Sequence, residues 1–149
     1  MPKPHDAAVD QAPPSLLYAV KQVELAVRSH LDDLLRPAGI TALQYTALTV
    51  LQRGQEVTAA QLARNSFVTT QSMADLVGAL ERRGLISRER DEKDRRRVTL
   101  SLTADGKQLL ADQAGPVAAL EARMVGALSA AQVEDFRAAL NASRAALST

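Results

Sequence analysis

Apolar residues recur at three- and four-residue steps through most of the chain, the spacing that lines up side chains on one face of an α-helix. Over 15–36 they are Leu16, Val20, Val23, Val27, Leu31 and Leu34, a long amphipathic helix that Pro37 and Gly39 stop. Thr41-Ala42-Leu43-Gln44 has the pattern of a capping box and opens a second helix to about Gln52. Thr58-Ala59-Ala60-Gln61 is another such box, opening a short third helix that ends near Asn65. After a turn over 65–68, Thr69 or Thr70 caps a fourth helix, 69–83, in which Met73, Leu76, Val77 and Leu80 share a buried face. The opposite face carries Thr70, Gln71, Ala74, Asp75 and Gly78, all small or polar.

The period then changes from helical to alternating. Gly84 stands where a C-terminal glycine relieves left-handed strain, behind Arg82 and Arg83, whose charges suit the end of a helix dipole. Leu85-Ile86 begins a strand, and Val98, Leu100 and Leu102 alternate with Thr99 and Ser101 in a second. Glu56-Val57 adds a third, minor strand. Beyond it, Thr103 starts a long helix with a stripe of Leu109, Leu110, Val117, Leu120 and Met124, expected to kink at Gly115-Pro116. Ser129-Ala130-Ala131-Gln132 is a third capping box, and the final helix presents Val133, Phe136, Leu140 and Leu147. The fold class is therefore mainly α with a small β-wing: a winged helix-turn-helix core over about 41–102, with helices before and after it.

Charge changes this picture from a fold to a candidate function. Between Glu81 and Arg97 there are eight basic and five acidic residues, a local net of +3 in a chain whose total is +1. Arg88, Arg90, Lys93, Arg95, Arg96 and Arg97 crowd the hairpin. A charged hairpin can simply keep a sheet edge soluble. A helix with a small, polar outer face followed by a basic hairpin, however, has what major-groove entry and phosphate contact require. Thr69, Thr70, Gln71 and Ser72 at the helix start are candidates for base and phosphate contacts, with capping as their structural alternative, and Ala74 suits a thymine methyl. A wing that binds protein is expected to carry an apolar patch instead of these six basic residues.

Composition mostly excludes. The chain has 149 residues, enough for one domain with a real core, and is 46% hydrophobic with only 3% aromatic. It has no cysteine, hence no disulfide or thiolate metal site, and only His5 and His30 as imidazoles. No constellation of nucleophile, acid–base pair or metal ligands points to an enzyme, and no cofactor is expected. The chain lacks an apolar run of membrane-spanning length and a signal-peptide core, so it is expected in the cytoplasm. Residues 1–14 carry four prolines and read as a disordered or loosely draped tail. The apolar stripes of the first and last two helices are too long for a winged-helix module to cover. They pack either on each other or on a second subunit.

Leu62-Ala63, the helix 69–83, Gly84-Leu85-Ile86, the wing's Asp94-Arg95-Arg96 and the sequence Leu102-Thr103-Ala104-Asp105-Gly106 together resemble the multiple-antibiotic-resistance regulator (MarR) family. The resemblance covers 15–149. It implies a homodimer built from helices 15–37 and 103–149, with two recognition helices in successive major grooves of double-stranded DNA. The target is then a pseudo-palindrome with half-sites about 10 bp apart. It implies that Arg96 enters the minor groove, where the narrow groove's potential attracts arginine, with Asp94 orienting a wing arginine. Asp75 departs from the basic or polar residue the family tends to have near there. The family's usual switch is a small, often phenolic or anionic effector between the dimer helices and the DNA-binding lobe; Tyr18, His30, Tyr45 and Arg53 are candidates to line its pocket. The absence of cysteine excludes the thiol-oxidation switch of some relatives. The expected function is a dimeric, effector-released repressor; the alternatives are a protein-interaction module or a DNA-binding regulator without a ligand.

Overall fold

The computed structural model describes residues 15–54, 57–66 and 68–148. The expectations for residues 1–14, Glu56 and Phe67 lie outside them. The elements are helix α1 (Leu16–Leu35), a 3-10 turn (Arg36–Ala38), α2 (Ala42–Arg53), β1 (Val57–Thr58), α3 (Ala59–Ser66), α4 (Thr70–Arg82), β2 (Ile86–Arg90), β3 (Val98–Leu102), α5 (Ala104–Met124) and α6 (Ala130–Ala146). The strands form an antiparallel sheet of order β1-β3-β2, in register through Val57–Leu100, Ile86–Leu102 and Arg90–Val98.

Each helix begins where a side chain can accept an orphan backbone N–H. Ser15 caps α1, Thr69 caps α4 and Thr103 caps α5. Reciprocal boxes form at Thr41/Gln44, Thr58/Gln61 and Ser129/Gln132, each glutamine returning a hydrogen bond to the cap backbone. Two glycines take the left-handed conformation that L side chains avoid: Gly39 (φ 74°) after the 3-10 turn and Gly84 (φ 71°) after α4. At the latter, Leu85 N–H donates to Leu80 O and Gly84 N–H to Glu81 O, closing the helix.

The core is the winged helix itself. Leu48 and Leu51 of α2, Leu62 of α3, Met73, Leu76, Val77 and Leu80 of α4, and Ile86 and Leu100 of the sheet pack around one centre. Leu35 and Leu110 bring α1 and α5 into it.

Local expectations are refined, and one is corrected at Leu85. The third helix continues through Ser66, one residue past Asn65. Leu85 precedes its strand, because its backbone is occupied by the α4 cap and by Thr103. Of the alternating trio in β3 only Leu100 is fully buried; Val98 and Leu102 are half-buried. Gly115 and Pro116 lie inside α5, which runs on past them to Met124.

The α1 stripe divides in two. Leu31, Leu34 and Leu35 pack on the core, whereas Leu16, Val20 and Val23 are 85, 55 and 45% exposed. Leu140 of α6 and Leu147, its C-terminal cap, are also exposed.

The seam between α5 and the winged helix is tight. Thr103 Oγ1 donates to Gly84 O at 2.6 Å and Thr103 N–H to Leu85 O at 3.1 Å. Gly106, buried one turn later, lets Leu85 O pack directly on the α5 backbone; a Cβ there collides with that oxygen. Replacing Gly106 with Ala should therefore destabilise the fold by about 1–3 kcal/mol, the cost of overpacking, although Ala is the better helix former. Chemical denaturation of the variant against the parent measures it, and equal midpoints would contradict the close approach.

Candidate nucleic-acid interface

The fourth helix presents its polar face as the sequence predicts. Thr70, Gln71, Ser72, Ala74 and Asp75 are exposed while the four apolar residues are buried. Gly78 is half-covered, with the Arg82 guanidinium lying over it. At the helix start Thr69 and Ser72 engage each other: Ser72 N–H donates to Thr69 Oγ1 at 3.1 Å, and Thr69 Oγ1 donates to Ser72 Oγ at 3.0 Å. Thr69 thus serves as the cap. Gln71 reaches along the exposed face, its amide 3.4 Å from Asp75 Oδ1. The acidic residue that departs from the family's tendency is met by an amide on its own helix.

The wing turn is shaped by aspartates accepting from backbone. Asp94 Oδ1 accepts from Arg96 N–H at 3.1 Å, and Asp91 Oδ1 from Lys93 N–H at 2.9 Å. Backbone bonds from Arg97 N–H to Asp94 O and from Asp91 N–H to Arg97 O close the loop, both 2.9 Å. Asp94 is therefore bonded to the main chain of Arg96 and orients the tip through it. Arg95 and Arg96 lie in the turn, outside the β2–β3 ladder, so strand alternation does not assign their directions.

The basic residues divide by what they touch. Lys93, Arg95 and Arg96 are exposed at the tip, and Arg97 is half-buried. Arg90 donates to Arg95 O at 3.3 Å. Arg88 pairs with Glu81 at 2.8 Å, an exposed bridge that contributes little stability but ties β2 to the end of α4.

The four effector-pocket candidates are not gathered at one place. His30 lines a concavity of about 480 Å³ with Asp33 and Leu34 of α1 and Pro116, Ala119, Leu120 and Arg123 of α5. It also lines a smaller one with Val23, Ala26, Val27, Leu120, Arg123 and Met124. Tyr18, Tyr45 and Arg53 line neither. Tyr45 packs against the core, where burial pushes its phenol above the usual tyrosine range. Tyr18 and Arg53 are exposed. Arg123, opposite His30, is a residue the sequence reading did not single out; only its place one residue before Met124, the end of the α5 stripe, could have flagged it. Among the described residues, no group of three or more His, Cys, Asp or Glu is placed to hold a metal ion, and no helix is long and apolar enough to cross a membrane.

Replacing Asp94 with Ala should loosen the tip without unfolding the domain. Amide exchange at Arg96 and Arg97 is expected to accelerate about fivefold, the effect of losing roughly 1 kcal/mol of local hydrogen bonding. Unchanged protection there would show that the strands alone hold the turn.

Comparison with known proteins agrees with this geometry. A family model described as the MarR family matches residues 38–97. The HTH-type transcriptional repressor Rv2887 of Mycobacterium tuberculosis is 30% identical over 128 residues, covering 86% of this chain and 91% of that protein. The Staphylococcus aureus MepR–DNA complex superposes with a TM-score of 0.79 at 26% identity, covering 90% of this chain and 99% of that one. The M. tuberculosis MarR family protein Rv2887 in complex with p-aminosalicylic acid gives 0.70 at 28% identity, covering 86 and 97%. With a relative of that identity matched over nearly its whole length and the winged-helix architecture in place, the chain belongs to the MarR family.

Proposed function

We propose that this protein is a homodimeric transcriptional repressor that binds a pseudo-palindromic operator in double-stranded DNA and is released by a small effector. The observation that carries the reading is the pairing of an exposed, small-residue recognition face on α4 with a tip of exposed cations in the wing turn. Supporting it, MepR is similar over 90% of this chain and has been solved with DNA, and a curated relative is named a repressor.

The roles follow from chemistry. Thr70 and Gln71 are the base and phosphate readers of the recognition helix. Gln71 can form the bidentate contact with adenine that an amide allows. Ser72 and Thr69 hold the cap, and helix N-terminal amides there favour phosphate. Ala74 approaches a thymine methyl. Arg96 is the minor-groove residue, and Lys93, Arg95 and Arg97 neutralise backbone phosphates, with Arg88 and Arg90 supporting the hairpin behind them. Asp75 repels phosphate, so it belongs over base edges, where a cytosine amine is its natural donor.

Dimerisation through α1, α5 and α6 would cover the exposed stripe at Leu16, Val20 and Val23 and the apolar groove lined by Met124, Val133, Phe136 and Leu140. The effector site is the His30–Arg123 concavity between α1 and α5. A relative solved with p-aminosalicylic acid supports a small aromatic anion as the ligand class. A regulator of this kind performs no chemistry on its ligands and works in the cytoplasm, beside the chromosome.

The test is fluorescence anisotropy with the protein's own upstream intergenic DNA and a scrambled duplex across a salt series. The intergenic fragment should be preferred at physiological salt. Replacing Arg96 with Ala should weaken binding to both duplexes and lower the salt slope by about one. Replacing Gln71 with Ala should cost about 1–3 kcal/mol on the specific duplex and little on the scrambled one. Absence of binding at low salt by a folded dimer would overturn the reading in favour of a protein-binding wing.

A further inference from the structure

The recognition helix ends in two adjacent arginines, and the second reaches across to a distant turn of the chain. Arg83, the C-terminal cap of α4, extends its guanidinium to the corner between α1 and α2. One amine donates to Gly39 O at 2.6 Å and the other to Ala38 O at 2.9 Å. The partners are 44 and 45 residues away in sequence, so the contact is tertiary. It is also shaped for the arginine fork. The 3-10 turn over Arg36–Ala38 and the left-handed Gly39 turn two successive carbonyls towards it, and a Cβ on Gly39 would stand 3.1 Å from the same guanidinium.

The same corner is latched from the other side. Asp32, near the end of α1, accepts from Ala42 N–H at 2.7 Å across the start of α2. Here α1, the corner, and the C-terminal end of α4 form one hydrogen-bonded chain. The His30–Arg123 concavity, with Asp33 and Leu34 in its wall, opens one helical turn before it.

We propose that Arg83 is a positioning residue that sets the orientation of the recognition helix against α1, so that a shift of α1 is passed to the DNA-reading face through the Arg83 fork and not by core packing alone. Arg83 does not contact DNA in this arrangement; it fixes where α4 points, and in a dimer it fixes the separation of the two α4 helices. The proposal rests on the DNA-binding reading for its consequence but not for its geometry.

The chain has no cysteine, so two spin labels can be placed cleanly by Ser29→Cys on α1 and Ala74→Cys on α4. Both positions are exposed. With labelled chains diluted into unlabelled protein and no DNA present, pulsed electron resonance reads the α1–α4 distance within one subunit. The parent is expected to give a single narrow distribution, and both Arg83→Ala and Arg83→Lys broader ones, with melting temperature monitored alongside. The lysine keeps the charge but cannot span both carbonyls, so it separates the fork from charge alone. It also provides a folded variant if the alanine fails.

On DNA, duplexes selected by the unlabelled protein from a randomised pool are then lengthened by one base pair between half-sites, about 3.4 Å. Arg83→Ala should bind the selected duplex at least about tenfold more weakly, as the loss of a charge-assisted bond implies. It should also lose much of the parent's discrimination against the longer spacer. A narrow, unshifted distance distribution in both variants, or a parent distribution that is already broad, overturns the proposal. Failure of the parent to select any duplex would count against the DNA-binding function, with the distance measurement still deciding the role of Arg83.

Discussion

The close approach of Leu85 O to the α5 backbone at Gly106 is the contact on which the arrangement of this molecule depends. It is possible only because residue 106 has no Cβ, and it is held by Thr103, which donates both its hydroxyl and its N–H across the same seam. Three elements meet there: the end of the recognition helix, the first strand of the wing and the start of the long helix. Gly84 and Leu85 donate their N–H groups to carbonyls at the end of α4 and accept through their own carbonyls from Thr103 at the start of α5, so neither helix end can rotate without breaking bonds to this link. The wing and the recognition helix are thereby hydrogen-bonded into one unit with the base of α5.

Around that seam the lobe is built from caps and packing. Three capping boxes and three single caps set where helices begin, and the aliphatic residues of α2, α3 and α4 fill the space under a three-stranded sheet. The polar face of α4 and the aspartate-shaped wing turn are left for solvent or for a partner. Surface ion pairs such as Arg88–Glu81 add orientation more than stability.

Much of this was legible in the sequence because it is written in local chemistry. Periodicity gave α4 and its four buried residues, and the Thr-x-x-Gln and Ser-x-x-Gln spacings gave helix starts to the residue. Glycine marked both left-handed turns. What periodicity cannot carry is where a long side chain goes. Arg83 reads as a cation at a helix end, yet its partners lie in a turn 44 residues earlier. Asp94 reads as a charge partner for an arginine guanidinium, while its carboxylate accepts from the backbone of Arg96. The effector candidates fared similarly: polar or aromatic character selected Tyr18, Tyr45 and Arg53, but only the packing of α1 on α5 brings His30 and Arg123 into one concavity.

The outward-facing half of α1 has a consequence for the amount of protein in a cell. The first half of this 20-residue helix buries little of its stripe within its own subunit, so tertiary packing contributes little to its order there. In the proposed dimer the second subunit supplies that packing, which would make stability and competence for DNA a function of subunit concentration. Synthesis and dilution alone would then tune occupancy of the operator, with the α1 segment melting first as copies become scarce.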